Sequence, residues 1–384
     1  MIKVDLCYST EFKNRYIQEV AVGRLIPDCV ELLSLVPDEY ASRMNALFDE
    51  QAINELVLLA PELLVDKIRG VYDTVPVLAE RYCLEYYLKD LYLDECEIDI
   101  KVNTAISKEK IRAVKDRVVS DLDSLLAGRG SLLLYDLIDV LRTTELEGKV
   151  KKLLYKIWRM KDGISSVTKE QKKMFPKWVN ELEVVFNYNR MATKFGNEMT
   201  SALQIRFCPY CNQENIETIT DPGAKARPDL DHFHPKSKFP FLALSLSNLI
   251  PAGSRCNQTY KKSKLMFDKV NPFVNGVGDE SVFSFNFSFD SGRCKEKLVV
   301  GVNSLRNDID NNLSFFKIIN VYNQSTSKDW FVEFHERYEF RRSLDCEEFK
   351  VSLDDPNRIR MDLFIDIAKS PKESDSQKFK IDAL

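Results

Sequence analysis

The sequence lacks any long apolar run. Its best stretches, LVLLAPELLV (56–65) and GSLLLYDLIDVL (130–141), are short and broken by proline or charge, which excludes a membrane-spanning helix of the usual length. The opening MIKVDLCYSTEFKNR carries charges where a secretory leader needs an apolar segment, so none is expected. Charge of one sign is also missing. The formal net charge of −4 argues against a wholly basic coat for nucleic acid but leaves room for a local basic patch. Glycine (13) and proline (14) are sparse, and 44% hydrophobic with 30% charged residues is an ordinary globular composition that does not indicate disorder. The nine cysteines are an odd number, and Cys7, Cys29, Cys83 and Cys96 are scattered singly, a usage that predicts reduced thiols in a cytoplasmic protein. Histidine is the scarcest functional residue, with three in 384.

Patterning predicts an α+β protein. Residues 1–200 read as helix after helix: SKEKIRAVKDRVVSDLDSLLAG opens at Ser107, keeps apolar residues at three-and-four spacing and stops at Gly128. A capping box at Thr168 and Gln171 starts another helix, and Pro176 restarts one through KWVNELEVVFNYNRM. From Cys208 to about 270, short polar loops, paired cysteines and lysines replace the helical period. SVFSFNFSFDSGRCKEKLVVGV then alternates Phe283, Phe285, Phe287 and Phe289 with small polar residues, which predicts a half-buried strand, a turn at Asp-Ser-Gly and a return strand. Core packing explains these rings better than a platform for bases, because they share one strand face. The chain therefore divides into a helical domain (1–200), a central module (201–275) and a mixed C-terminal region (276–384) with a mobile polar tail, KSPKESDSQK.

Two of the three histidines fall in DLDHFHPKSKFPFLALSLSNLIPAGSRCNQTYKKSK (229–264). Asp231 and His232 are followed by Asn248 and then by Asn257. LDH suits the end of a strand, SLSNLIP a loop entering a second strand, and CNQTYKKSK the start of a helix. That order would bring Asp231 opposite Asn257, with His232 adjacent. The bland alternative is a loop in which Asp231 and Asn248 satisfy backbone groups. The surrounding CPYCN, PKS, NLIP, CN and lysines make accident the weaker explanation.

These residues resemble the HNH, or ββα-metal, endonucleases, and over 203–275 they are similar to the PtuB-like HNH nucleases of Septu-type bacterial antiphage systems. The resemblance implies that Asp231 and Asn257 hold one divalent cation, that His232 is the general base and that Asn248 orients it; His234 falls at a variable position. Carboxylate and amide oxygens suit Mg²⁺ or Mn²⁺, which can answer the charge and the poor leaving group of a phosphodiester. Imidazole titrates where it can take a proton from water. The implied products carry 5′-phosphate and 3′-hydroxyl ends. An ATPase partner is implied too, with the N-terminal helices as its docking module or as a substrate-binding module.

Cys208 and Cys211 are half of a tetrathiolate zinc site. The resemblance places the other half at 253 and 256, where the chain has Gly253 and Cys256. Zinc held by Cys208, Cys211 and Cys256 is the favoured expectation, its fourth ligand being a distant residue such as Cys294, or water; the alternative is that the metal is lost and packing holds the knuckle. Arg255, Lys261 and Lys264, with Lys262 and Lys269 nearby, are expected to grip phosphates without reading bases, Lys261 and Lys264 from one helical face. The substrate implied is DNA; structured RNA is an alternative, because phosphate-gripping lysines do not tell the two apart. A rival of another class is a zinc-knuckle nucleic-acid-binding or regulatory protein that keeps the frame without catalysis.

Overall fold

The structure, a computed structural model, describes all residues except 222, 224, 225, 279, 288–297, 325, 344–374 and 384, and only the backbone of 337–343. Among the described residues the fold is mixed α+β and mostly helical, with two small antiparallel hairpins. Among the described residues no helix is long and apolar enough to cross a membrane, and Cys7, Cys29, Cys83, Cys96, Cys208, Cys211 and Cys256 are free thiols.

The chain forms two compact units, each discontinuous in sequence. The helical unit comprises 11–188 and 234–248. Its longest helix, Ala105–Arg129, buries Ile111, Val118, Leu122 and Leu126 along one stripe. It opens two residues earlier than the sequence predicts because Thr104 and Ser107 cap each other, and it runs through Gly128 to end at Gly130, whose φ of +66° a side chain would strain. The Thr168–Gln171 box caps only the short helix Lys169–Lys172. Pro176 does restart a helix, Lys177–Val185, but the chain breaks at Phe186 before Tyr188–Ala202.

Residues 234–248 depart from the expected polar loop. Phe239–Asn248 are buried, because FPFLALSL supplies apolar side chains to the helical core. Phe239 and Phe241 pack around Tyr72, with ring centroids 5.7 and 5.5 Å away. Tyr16 donates to the Leu244 carbonyl at 2.8 Å and Ser245 to that of Leu56 at 2.7 Å. Such bonds satisfy a backbone that has left regular structure in the interior. The expected boundaries at 200 and 275 therefore give way to an insertion: the segment after His232 and Phe233 belongs to the helical unit.

The second unit takes 1–10, 189–233 and 249–384. Strand β1 (Asp229–His232) pairs antiparallel with β2 (Leu249–Ala252), Asp231 facing Ile250 and His232 facing Leu249. Strands β3 (Phe283–Asn286) and β4 (Val299–Val302) form the second hairpin, as alternation predicted. Phe283 is buried against Tyr322 and Phe379, and Phe285 stacks on Phe331, so these rings pack inward. Phe289, the Asp-Ser-Gly turn and Cys294 lie outside the described residues. Part of the expected mobile tail is ordered: Gln377–Asp382 is a helix whose Phe379 is fully buried and whose Asp382 accepts the amides of Val282 and Phe283. Phe379 and Asp382 both dock it.

Candidate functional site

Residues 207–261 of the second unit, apart from 234–248, contain most of the predicted site residues. Phe207 and Asn215 bridge, and between them the chain turns tightly, with Asn212 at φ +54° and its amide bonded to the Cys208 carbonyl at 2.7 Å. This knuckle buries Cys208 and Cys211. After β2, Gly253 leads into a short helix, Arg255–Lys261, that brings Cys256 to the same place. The three sulfur atoms lie within 4.8 Å of one another. A tetrahedral zinc ion with bonds of about 2.3 Å holds its sulfurs about 3.8 Å apart, so this buried cluster can hold such an ion with little movement.

The thiols are unequal. Cys211 is held well below the usual thiol range because Cys208 and Cys256 donate to it and the amides of Gln213 and Glu214 add to their effect. Burial pushes Cys208 up, and sharing with Cys208 and Cys211 pushes Cys256 up. Arg255, expected on phosphate, turns its guanidinium to Cys211, with Nη2 3.7 Å from the sulfur.

At the other end of the helix the carboxylate of Asp231 is engaged on both oxygens. Oδ1 accepts from the Lys261 ammonium at 2.8 Å, and Oδ2 from the Tyr210 hydroxyl at 2.6 Å. Lys261 Nζ also donates to the His232 carbonyl at 2.6 Å. Lys261 is 1% exposed and Asp231 3%. Lys261 is therefore no surface phosphate grip, contrary to expectation: a buried ammonium needs a counter-ion, and Asp231 is that ion. The helix is also wound more loosely than an α-helix, the Lys262 amide reaching the Asn257 carbonyl at 2.8 Å, and it stops where Lys262 takes φ +53°. Lys264 lies beyond it and does not continue the face of Lys261. Its ammonium sits 5.0 Å from the Phe315 ring centroid, with that of Lys269 5.4 Å away. Lys262 and Lys264 stay exposed.

Asn257 does not pair with Asp231 either. Its amide donates to Asp229 Oδ2 at 3.0 Å, and Gln258 donates to the same oxygen at 2.7 Å. Asp229 and Asp231 share a strand face, so the helix finds one carboxylate for its first turn and another for its last. His232 ends β1 and is 7% exposed. In the helical unit, Asn248 accepts from the His234 amide at 2.7 Å and donates to the carbonyls of His234 at 3.0 Å and Leu242 at 3.1 Å. It orients the backbone two residues beyond the expected base. His234 is buried edge-on against Phe239.

Sequence reasoning missed three participants: Tyr210, Asp229 and Glu214. Tyr210 had a signal, being the residue before the second cysteine of CPYC. Its ring stacks on Phe316 at 4.6 Å, and burial followed by the neighbouring Asp231 raises its pKa well above the usual phenol range. No protein-family model, curated protein or solved structure matches the chain.

Proposed function

We propose that this chain is an HNH-type endonuclease that hydrolyses phosphodiester bonds, with DNA as its first substrate and structured RNA as the alternative. One observation carries the reading: a hairpin whose first strand ends in Asp231 and His232 is followed by a short helix with Asn257 in its first turn and a cysteine cluster at its start. His232 is the base that takes a proton from the attacking water, a task suited to an imidazole. Asn248 fixes the backbone that follows it, and the exposed Lys262 and Lys264 offer charge to flanking phosphates. The cysteine cluster, loaded with zinc, would tie the knuckle to the helix. An ATPase partner docking on the helical unit belongs to the same reading.

Asp231 and Asn257 do not fit a divalent cation in this arrangement, because Lys261 and Tyr210 occupy both Asp231 oxygens and Asn257 is turned to Asp229. A cation at Asp231 requires the Lys261 ammonium to leave. That pair favours a second reading, a nucleic-acid-binding or regulatory protein in which the frame persists without catalysis. Incubating plasmid and structured RNA with full-length protein and Mg²⁺ or Mn²⁺, against an EDTA control, separates the two. The nuclease reading expects metal-dependent cleavage that falls about 100- to 10,000-fold in His232→Ala. Cleavage by the variant at the wild-type rate contradicts the role of His232. Binding without cleavage under either cation favours the second reading.

A further inference from the structure

Three thiolates leave a tetrahedral ion one ligand short. The cysteine that would complete two pairs is replaced by Gly253, and the space is not vacant. A Cβ on Gly253 would overlap Oε2 and the carboxyl carbon of Glu214, with Cγ 2.8 Å away. A side chain at residue 253 and the Glu214 carboxyl would therefore compete for the same space. The acid comes from the knuckle itself. Its carbonyl accepts the Cys208 amide at 2.9 Å, and its own amide faces the Cys211 sulfur. Its carboxylate accepts from the Ser254 hydroxyl at 3.0 Å and from the Arg255 amide at 3.2 Å, which fixes it at the start of the helix that carries Cys256, outside the 4.8 Å that the three sulfurs share.

We propose that Glu214 is the fourth ligand of the cluster: when a divalent ion such as zinc binds, the carboxylate gives up the Arg255 amide and closes a site of three sulfurs and one oxygen. Carboxylate is an ordinary zinc ligand, with bonds of about 2.0–2.2 Å. Three thiolates and a carboxylate exceed the charge of a divalent ion by two, and the Arg255 guanidinium, already at Cys211, offsets part of that excess. One oxygen among the sulfurs also makes the site less selective for soft ions than four thiolates would be. This assignment rests on the cluster taking a metal, and not on the nuclease reading.

The test is zinc-edge X-ray absorption on full-length protein loaded with zinc alone, together with chelator competition. The wild type should show three sulfurs at about 2.3 Å and one oxygen at about 2.0 Å. Glu214→Gln keeps the acceptor for Ser254 and Arg255, so a merely structural role survives in it. Loss of a ligand should instead weaken zinc by at least the roughly 10- to 100-fold that removing an outer-shell partner costs. Gly253→Cys combined with Glu214→Ala should convert the shell to four sulfurs and regain the lost affinity, which keeps the assignment testable if the single variant folds poorly. Glu214→Gln with wild-type affinity and an unchanged shell overturns this assignment alone. Failure of the wild type to bind one equivalent of zinc overturns it together with the metal reading.

Discussion

At the cysteine end of the 255–261 helix three buried thiols converge, and the Arg255 guanidinium lies 3.7 Å from the Cys211 sulfur. At the other end Asp231 is equally buried, yet Lys261 and Tyr210 satisfy both its oxygens. The two ends lie on the same hairpin and helix and differ in who supplies the positive charge. Where the chain brings its own ammonium, the site is complete as folded. Where it brings three sulfur atoms together with no ammonium among them, the geometry can take an ion from outside. A cluster of potential ligands is thus a metal site only to the extent that the protein leaves it unsatisfied.

The comparison breaks most readily at Lys261. Lys261→Met leaves the Asp231 carboxylate buried with the tyrosine alone, which should cost about 3–5 kcal/mol in chemical denaturation of the full-length protein. Asp231→Asn combined with Lys261→Met should recover most of that loss, since removing both charges removes the need for pairing. If Lys261→Met is as stable as wild type, the ammonium is not what completes Asp231, and the contrast between the ends fails.

A smaller change sharpens the contrast. Tyr210 stands between the two cysteines and bonds to Asp231, so it joins the ends. Tyr210→Phe keeps the stack on Phe316 and removes one hydrogen bond to a charged acceptor, worth about 1.5–3 kcal/mol. The same denaturation measurement reads it, with zinc content unchanged. Loss of zinc in Tyr210→Phe would mean that the two ends are coupled, which contradicts their independence.

The sequence made the hairpin, the short helix and the convergence of Cys208, Cys211 and Cys256 legible, because cysteine spacing and strand–turn–helix order are local signals. It misled at Lys261. A lysine run reads as a solvated face until the helix pitch is known, and here a loosely wound helix turns Lys261 inward while Lys262 and Lys264 stay outside. It misled at Asn257 for a related reason: Asp229 and Asp231 share a face, and which carboxylate meets the first turn depends on where the helix starts. The insertion of 234–248 into the helical unit was also hidden, because burial of FPFLALSL depends on distant partners such as Tyr16 and Tyr72. Glu214 carried no signal beyond the glycine that makes room for it.

The most direct test of the contrast is elemental analysis of the purified full-length protein, comparing wild type, Cys208→Ser and the Asp231→Asn/Lys261→Met pair. The account predicts about one equivalent of zinc in the wild type and in the Asp231/Lys261 variant, and its loss in Cys208→Ser, because a structural zinc site depends on its thiolates. Zinc well below one equivalent in the wild type, or lost equally from both variants, would contradict it.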